Sequence, residues 1–326
     1  MTRRQATMAE VGEFGLLARL LPSLANGPGV VLGPGDDCAV LRTAEGLLLF
    51  TVDALVEGVH FRPGWLTPVQ LGRKAFAVNA SDVAAMGGLP RWCVVQIAAP
   101  ARTPAAELAA ISRGAAAAAA AANAVLVGGN ISRAAELSVT LALIGAAPPH
   151  PIGRYGARPG HGLYVTGTLG EAALGRRQLE HARSATGGAV KRFRAPTPRV
   201  ATGASLARRE LASAMIDVSD GLLQDLGHLC SASGVGAEIE VAALPASRAV
   251  QRAGIDLALT GGEDYELLCA VPPEREELLA RLAPQWDHRL TRIGVCTSRR
   301  GVRVRDARRR ARGNSGGYDH FAGGRK

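Results

Sequence analysis

Apolar and polar residues alternate along the chain in two different periods, which predicts strands and helices in both halves. Short apolar runs bounded by turn residues are typical of strands, and they lie at 47–52, 92–98, 125–127 (short and buried), 137–144, 163–166, 215–218, 257–259 and 266–271. Helical spacing predicts helices over 12–25, from Thr67 to about Met86, and over 104–122, 200–212, 222–230 and 273–283. We expect the polar, basic stretch 175–199 to be a mobile connection. This alternation favours an α/β or α+β fold.

The length of 326 residues suits two domains. Proline and glycine punctuate residues 146–160, where a linker is expected. We therefore predict an N-terminal domain over 1–148 and a C-terminal domain over 149–326.

Composition narrows the class of protein. Hydrophobic residues make up 47% of the chain and aromatic residues 4%, so the core must consist of Leu, Val and Ala. No apolar run reaches the roughly 18 residues of a membrane span, and no secretory signal is seen, so no membrane association is expected. The 5 cysteines are scattered without a CxxC motif, which argues against a disulfide framework and a cysteine-type zinc site and predicts a cytoplasmic protein.

The net charge of +10 raises the possibility of nucleic-acid binding. Arginines crowd into 299–312, where Val302 and Val304 alternate with Arg303 and Arg305. No aromatic residues lie between these arginines, so a surface for stacking bases is not indicated. We interpret this region as a solvated edge strand and expect no nucleic-acid partner.

Carboxylates at the ends of apolar runs are the main candidates for chemistry. The sequence contains neither a GxxxxGK[ST] nor a GxGxxG motif. Instead, acidic residues follow glycine-rich turns or strand ends: Asp36, Asp37, Asp53, Asp217, Asp220, Glu263 and Asp264. Asp82 lies eleven residues after Leu71 on the apolar stripe of a predicted helix, so its carboxylate is expected to be buried. A buried carboxylate is costly unless it is paired or binds a metal ion.

These carboxylates have two interpretations. Hard divalent cations such as Mg²⁺ prefer carboxylate oxygens, and phosphoryl transfer uses such ions. Alternatively, each motif is ordinary turn or helix-capping chemistry, with Ser219 or Asp220 as a cap and Asp82 paired with Lys74 or Arg73. The occurrence of several such elements together favours the magnesium site.

Eight motifs in this order resemble those of the thiamine-monophosphate kinases: GPGDDCAVL (33–41), TVDALVEGVHF (51–61), KAFAVNASDVAAMGGLP (74–90), LVGGN (126–130), GARPG (156–160), IDVSDGLLQDLG (216–227), LTGGEDYELL (259–268) and GYDHF (317–321). The resemblance implies phosphorylation of thiamine monophosphate to thiamine diphosphate, the last step of thiamine diphosphate biosynthesis, with ATP as co-substrate and several Mg²⁺ ions. It also implies an aminoimidazole-ribonucleotide-synthetase-like fold. In that fold the N-terminal sheets of two subunits pair in a homodimer, nucleotide binds near their interface, and an α/β layer domain completes the site.

The resemblance also implies roles for individual residues. The implied catalytic residues are Asp53, Asp82, Asp217 and Asp220. The implied metal ligands are Asp36, Thr51, Val52, Asp53, Asp82, Asn130, Asp217 and Asp220. His60, Glu263 and Tyr318 match positions that contact the acceptor substrate, and Gly129, Asn130, Arg154 and Ser219 match positions that contact nucleotide. Asp37 matches the second Asp of the Gly-Asp-Asp element, without an assigned role.

Three positions depart from the family pattern. Asn130 stands where an Asp is expected, which keeps an oxygen ligand and removes a negative charge. Val52 replaces a hydroxyl residue, which is harmless only if that position binds metal through its backbone carbonyl. His161 replaces an acidic residue at a turn, with no catalytic consequence expected. The five Asp residues among the implied metal ligands, Asp36, Asp53, Asp82, Asp217 and Asp220, are retained, which indicates an active enzyme.

Two other classes of protein stay open at this point. One is a sister ATP-dependent enzyme of the same superfamily, although the reactive cysteines of selenide kinases and hydrogenase-maturation proteins are missing here. The other is a binding protein without catalysis, either a nucleotide sensor, suggested by Asn130, or a nucleic-acid binder, suggested by the arginine-rich segment.

Overall fold

A computed structural model describes residues 6–24, 27–306 and 309–312. After helix α1 (Met8–Leu20), six strands form the first sheet: β1 (Val30–Leu32), β2 (Ala39–Thr43), β3 (Gly46–Val56), β4 (Leu89–Ala99), β5 (Val125–Arg133) and β6 (Ser138–Ala146). Their order is β1-β2-β3-β6-β4-β5, and only β4 and β5 run parallel. The connection between these two strands contains helix α3 (Ala105–Ala121), as a parallel crossover requires.

The first sheet has one covered face and one open face. Helices α2 (Pro68–Ala85) and α3 cover the face that carries Leu49, Leu141 and Leu143, all fully buried. The opposite face exposes large apolar side chains: Phe50, Val52, Trp92, Val94, Val127 and Ile131. Strands with alternating residues normally place polar side chains on a solvated face, so this open face is unusual for a surface.

Helix α2 lies at the centre of the molecule and confirms the predicted helix. Thr67 caps it, since the Thr67 hydroxyl accepts a hydrogen bond from the Gln70 N–H and the Gln70 side chain accepts one from the Thr67 N–H. The backbones of α2 and α3 come close together at two glycines. A Cβ atom on Gly72 would lie 1.9 Å from the Ile111 carbonyl oxygen, and one on Gly114 would lie 2.2 Å from that of Val69.

The second sheet has seven strands: β7 (Gly162–Thr166), β8 (Ala214–Val218), β9 (Gly236–Glu240), β10 (Glu266–Val271), β11 (Leu290–Thr297), β12 (Gly301–Asp306) and β13 (Arg309–Arg312). Their order is β13-β12-β9-β11-β7-β10-β8, antiparallel except for β9 and β12. Seven helices accompany this sheet: α4 (Glu171–His181), α5 (Gly188–Arg194), α6 (Val200–Arg208), α7 (Leu222–Ser233), α8 (Arg248–Ala253), α9 (Asp256–Thr260) and α10 (Pro273–Leu282). No helix in the described ranges has the length and hydropathy needed to cross a membrane.

Helix α2 packs against both sheets. Ala84 and Ala85 at the end of α2 pack with Leu206 of α6 and with Met215 and Leu267 of the second sheet. The other face of the second sheet packs against α7 in a separate core of Leu, Val, Ile and Ala side chains. Helix α2 therefore packs between the first sheet and the edge of the second sheet, where β8 ends and β10 begins.

Several local predictions were wrong. Residues 175–199 are not a mobile connection, because α4 and α5 occupy most of this stretch and Phe193 is fully buried. Residues 257–259 belong to helix α9 and not to a strand. The run at 125–127 begins an outer strand, β5, whose Val125 and Val127 side chains are exposed, not buried. The arginine-rich edge strand is β13, since β12 pairs on both sides.

Candidate active site

Three carboxylates from distant parts of the sequence meet where the two sheets adjoin. Asp37 follows β1, Asp82 lies in the last turn of α2 and Asp217 lies near the end of β8. One oxygen from each can be chosen so that all three lie within 4.8 Å of one another. The Asp82 side chain therefore points inward, in the same direction as the apolar residues of α2, as the sequence predicts. Of the alternative partners considered for it, Lys74 pairs with Glu263, and no ion pair among the described residues joins Arg73 to Asp82.

Neighbouring hydroxyl groups hold two of these carboxylates in place. The Thr51 hydroxyl on β3 donates a 2.7 Å hydrogen bond to Asp82 Oδ2. The Ser81 hydroxyl donates a 2.6 Å hydrogen bond to Asp217 Oδ2. Each bond links α2 to a different sheet, so the cluster is fixed by elements of both halves.

Arg154 links the Asp36–Asp37 turn to the second half of the chain. Its backbone N–H donates to Asp36 Oδ2 over 2.9 Å, and its guanidinium donates to Asp37 Oδ1 over 2.7 Å. The Asp36 carboxylate also accepts the Asp37 N–H, so it braces the turn. The side chains of Asp36 and Asp37 are 3% and 2% exposed, respectively. Asp37 Oδ2 is buried and has no hydrogen-bond partner among the described residues.

The cluster carries more negative charge than its surroundings neutralise. Burial, reinforced by the Asp37 carboxylate, raises the pKa of Asp36 to about 6 and that of Asp217 to about 7. Burial also raises the pKa of Asp82, with further contributions from Asp217, Asp53 and Asp37. The single guanidinium of Arg154 offsets only part of this repulsion. Such a site favours a bound cation.

A cleft of about 570 Å³ lies beside the cluster. Its lining residues include Asp53, His60, Ser219, Asp220 and Glu263. The His60 ring accepts a 3.0 Å hydrogen bond at Nδ1 from the Val56 N–H. The proton of the neutral ring therefore lies on Nε2, which leaves that nitrogen as a donor.

The turn after β8 is held by a single buried carboxylate. Asp225 Oδ2 accepts hydrogen bonds from the backbone N–H groups of Ser219, Asp220 and Gly221, at 3.1, 3.2 and 3.0 Å. Neither Ser219 nor Asp220 provides a side-chain cap for α7, so the capping interpretation of these two residues is wrong. Both residues line the cleft, and the Asp220 carboxylate accepts a 3.0 Å hydrogen bond from the Gln224 side chain.

The Gly-Gly-Glu-Asp-Tyr loop before β10 also lines the cleft. Glu263 and Tyr265 both adopt positive φ angles, +71° and +51°, which is costly for residues with side chains. The Glu263 N–H donates to the Ser219 carbonyl over 2.7 Å, which joins this loop to the turn after β8. Asp264 points away from the cleft and accepts the N–H groups of Gly170 and Ala172 at the start of α4, which is a structural role.

Other predicted site residues lie elsewhere in this single chain. Gly129 and Asn130 are on the outer strand β5, and no hydrogen bond of the described residues joins Asn130 to the cluster. Val52 is 60% exposed on the open face of β3, so its side chain points away from the buried Thr51 side chain and from Asp82. Tyr318 falls outside the described residues. His161 contacts the Ser213 hydroxyl, away from the cleft.

Sequence reasoning missed three residues of this site. Asp37 was left without a role, although its position beside Asp36 in a glycine-rich turn could have drawn attention to it. Lys74 pairs with Glu263 across 189 positions of sequence, which no local pattern reveals. Asp225 received no role in the site, because the three backbone N–H groups that its carboxylate binds come together only in the fold.

Comparisons with known proteins agree with this architecture. The family models for the N-terminal and C-terminal domains of AIR synthase related protein match residues 35–147 and 158–307. The thiamine-monophosphate kinase of Salmonella typhimurium is 39% identical over 326 residues, covering 95% of this chain and 98% of the relative. The Escherichia coli K12 enzyme of the same name is 41% identical over 275 residues, covering 80% and 83%.

A solved structure supports the same relationship. The structure of AaThiL complexed with AMPPCP and TMP superposes with a TM-score of 0.85 at 32% identity, covering 98% of this chain and 100% of that one. The fold and these identities agree over nearly the whole chain. The chain therefore belongs to the thiamine-monophosphate kinase family of AIR synthase related proteins.

Proposed function

We propose that this protein transfers the γ-phosphoryl group of ATP to thiamine monophosphate, giving thiamine diphosphate and ADP. The observation that carries the proposal is the cluster of Asp37, Asp82 and Asp217 beside an open cleft. AaThiL was solved with AMPPCP, an ATP analogue, and TMP, which supports this pair of substrates for a relative of the same fold. A sister activity or a nucleotide sensor finds no comparable support.

We propose that the cluster binds Mg²⁺. The fit is good because Asp37 Oδ2 is buried without a hydrogen-bond partner among the described residues, while neighbouring carboxylates carry uncompensated charge. The proposed ligands are the predicted set, Asp36, Thr51, Val52 (through its carbonyl), Asp53, Asp82, Asn130, Asp217 and Asp220, with Asp37 added. When bound, Mg²⁺ ions neutralise charge on the phosphates and on the transferring group.

We propose that the cleft binds the substrates through groups of both halves of the chain. His60 Nε2–H can donate to the acceptor, and Glu263 can accept from it, with Tyr318 as a further predicted contact. Ser219 lines the cleft and is assigned to the nucleotide together with Gly129, Asn130 and Arg154. The N-terminal domain, 1–148, would supply nucleotide and metal contacts, and the C-terminal domain, 149–326, would complete the site.

The chemistry of the acceptor removes the need for a strong general base. A phosphate acceptor is already ionised at neutral pH, so its oxygen can attack without losing a proton to the protein. The residues of the site then act by orienting the two substrates and by excluding water. We therefore propose direct in-line transfer, in which an acceptor phosphate oxygen bonds to the γ-phosphorus as the bond to the ADP oxygen breaks.

A product assay tests the proposed function. The purified protein is incubated with ATP, MgCl₂ and thiamine monophosphate, and thiamine diphosphate is followed by chromatography. We expect product that is abolished by a chelator and restored by excess MgCl₂. Failure to form product while ATP still binds would contradict the kinase function and favour a nucleotide sensor.

The stabilisation that Mg²⁺ gives to the protein is expected to depend on pH. The raised pKa values of Asp36, about 6, and Asp217, about 7, add stability that is fully present below pH 3.8 and is lost as the pH rises through 7. Mg²⁺ binds the ionised form, so displacing one proton from a group of pKa near 7 weakens binding on the order of 30-fold at pH 5.5 relative to pH 8. We expect a larger MgCl₂-induced rise in melting temperature at pH 8, with NaCl of equal ionic strength as the control. An equal rise at both pH values would contradict the site.

We propose a homodimer in which the open faces of two first sheets pair. The apolar side chains of Phe50, Trp92, Val94 and Ile131 on this face would otherwise stay in water. Gly129 and Asn130 lie on the outer strand of the same sheet, so pairing would bring these predicted nucleotide contacts to the interface.

Introducing a charge into this face is expected to separate the subunits. Val94→Glu places a carboxylate on the interior strand β4, where pairing would bury it without a partner. Sedimentation is expected to show a dimer for the unmodified protein and a monomer for Val94→Glu. Arg281→Glu on α10 also introduces a negative charge, on an exposed position of the second half, and should leave the dimer intact. A dimeric Val94→Glu variant would exclude this face as the interface.

A further inference from the structure

Lys74 is a charged residue buried at the centre of the molecule. Its side chain is 1% exposed, and it projects from α2 toward the loop before β10. The ammonium group lies 3.1 Å from Glu263 Oε1 and 3.8 Å from the centre of the Phe193 ring. The ring faces the ammonium group from α5, so Lys74 contacts an anion and an aromatic face together.

The buried Lys74–Glu263 ion pair carries a desolvation cost that an apolar pair in the same space would not have. Burial lowers the pKa of Lys74, and Glu263 counteracts part of that shift. Buried ion pairs can often be replaced by apolar residues of similar volume without loss of stability. A methionine at this position would pack against Phe193 without any desolvation cost, so packing alone does not account for the lysine.

Glu263 has one oxygen occupied and one without a partner. Oε1 is bound to Lys74, while Oε2 is buried and has no hydrogen-bond partner among the described residues. The backbone holds the residue at a φ of +71°, and its N–H is bound to the Ser219 carbonyl. Glu263 lines the cleft. Its orientation toward a ligand there is fixed by the hydrogen bond of its backbone N–H and by the ion pair of its carboxylate.

We propose that Lys74 is a positioning residue, which fixes the Glu263 carboxylate so that Oε2 accepts a hydrogen bond from the ring amino group of the acceptor. This inference rests on the proposed function, in which the acceptor is thiamine monophosphate with its aminopyrimidine ring. A carboxylate paired with an ammonium group can only accept hydrogen bonds, so it discriminates an N–H donor from a carbonyl oxygen at the same ring position. Lys74 itself would touch neither substrate.

The first test is Lys74→Met, which removes the charge and keeps most of the volume. Losing a hydrogen bond to a charged group is expected to raise the KM for thiamine monophosphate about tenfold or more. The KM for ATP should stay within about twofold, because Glu263 is assigned to the acceptor. A parallel rise in both KM values would indicate a general structural defect and would contradict the positioning role.

The second test uses oxythiamine monophosphate, in which a carbonyl replaces the ring amino group. The unmodified protein should favour the amino acceptor in kcat/KM by about tenfold or more, since an unpaired carboxylate rejects the carbonyl. The neutral pair Lys74→Met/Glu263→Gln avoids a lone buried charge, so it tests the idea even if Lys74→Met folds poorly. We expect this variant to lose the preference, and its KM for thiamine monophosphate to match that of Glu263→Gln alone.

The outcomes separate the two hypotheses. An unmodified protein without turnover of thiamine monophosphate contradicts the proposed function itself. An active unmodified protein whose acceptor preference survives in the neutral-pair variant contradicts only the role given to Lys74 and Glu263.

Discussion

Asp82→Asn is expected to lower kcat for thiamine diphosphate formation by about 10³-fold or more, equivalent to about 4 kcal/mol of transition-state stabilisation. Asp82 provides one of the three carboxylates that lie within 4.8 Å of one another, and Thr51 holds it in place. An amide keeps the shape of the side chain and the Thr51 hydrogen bond. It removes the negative charge that the proposed magnesium site needs.

The same substitution should leave the metal-free protein as stable as before, or make it more stable. Burial and the neighbouring carboxylates raise the pKa of Asp82, so its ionised form is unfavourable in the absence of a cation. We therefore expect an unchanged or higher melting temperature in chelator, together with the loss of activity. Glu107→Gln, which removes an exposed carboxylate on α3, serves as the control and should change neither property. Activity within tenfold of the unmodified protein would show that Asp82 is not essential to the transfer.

Glu266→Gln is expected to cause the largest loss of stability, about 3–5 kcal/mol in the free energy of unfolding. Glu266 is fully buried at the start of β10, and its carboxylate accepts two 2.6 Å hydrogen bonds from Arg199. Arg192 donates to Oε1, and the Thr166 hydroxyl donates to Oε2 over 2.6 Å. Removing the charge leaves the buried Arg199 guanidinium without its anion, in a region that joins α5 and α6 to the second sheet.

Urea denaturation and the melting temperature measure this effect, and the latter should fall by roughly 10 °C. Glu210→Gln is the matched control, because Glu210 is exposed and lies 3.8 Å from Arg275 in a surface ion pair. Surface pairs contribute about 0–1 kcal/mol, so the control should show little change. A similar small change for Glu266→Gln would mean that the arginines find other partners or water.

Local patterns predicted those elements whose own residues determine their structure. Helix α2 begins at its Thr67 cap and carries a continuous apolar stripe, so both its start and the inward direction of Asp82 could be read from sequence. The prediction for 175–199 was wrong because most residues of this stretch are polar and only a few are apolar. Two of the apolar residues, Leu179 and Phe193, are buried by packing against α2 and Trp65, which the local sequence does not reveal. The strand predicted at 257–259 is a helix because three apolar residues fit either conformation.

In the candidate site, too, single residues could be predicted from local sequence, whereas their contacts with one another could not. Aspartates at strand ends and turns were identifiable one by one, because glycine and apolar runs flank them. Their meeting is a property of the tertiary fold, since Asp37, Asp82 and Asp217 come from three separate segments. The partner of Lys74 could not be predicted, because the ion pair with Glu263 depends on how the loop before β10 packs on α2. The nucleotide contacts assigned to Gly129 and Asn130 remain a prediction that depends on the proposed dimer.

A single-turnover experiment with ATP labelled in the γ-phosphoryl group tests the central claim most directly. The protein, in excess over labelled ATP, is mixed with thiamine monophosphate and MgCl₂, quenched in acid at short times and separated into protein, nucleotide and product. Direct transfer predicts that the label passes from ATP to thiamine diphosphate in one phase, with no labelled protein at any time. Labelled protein that forms before the product and decays into it would contradict direct transfer, and label released only as inorganic phosphate would contradict the kinase function.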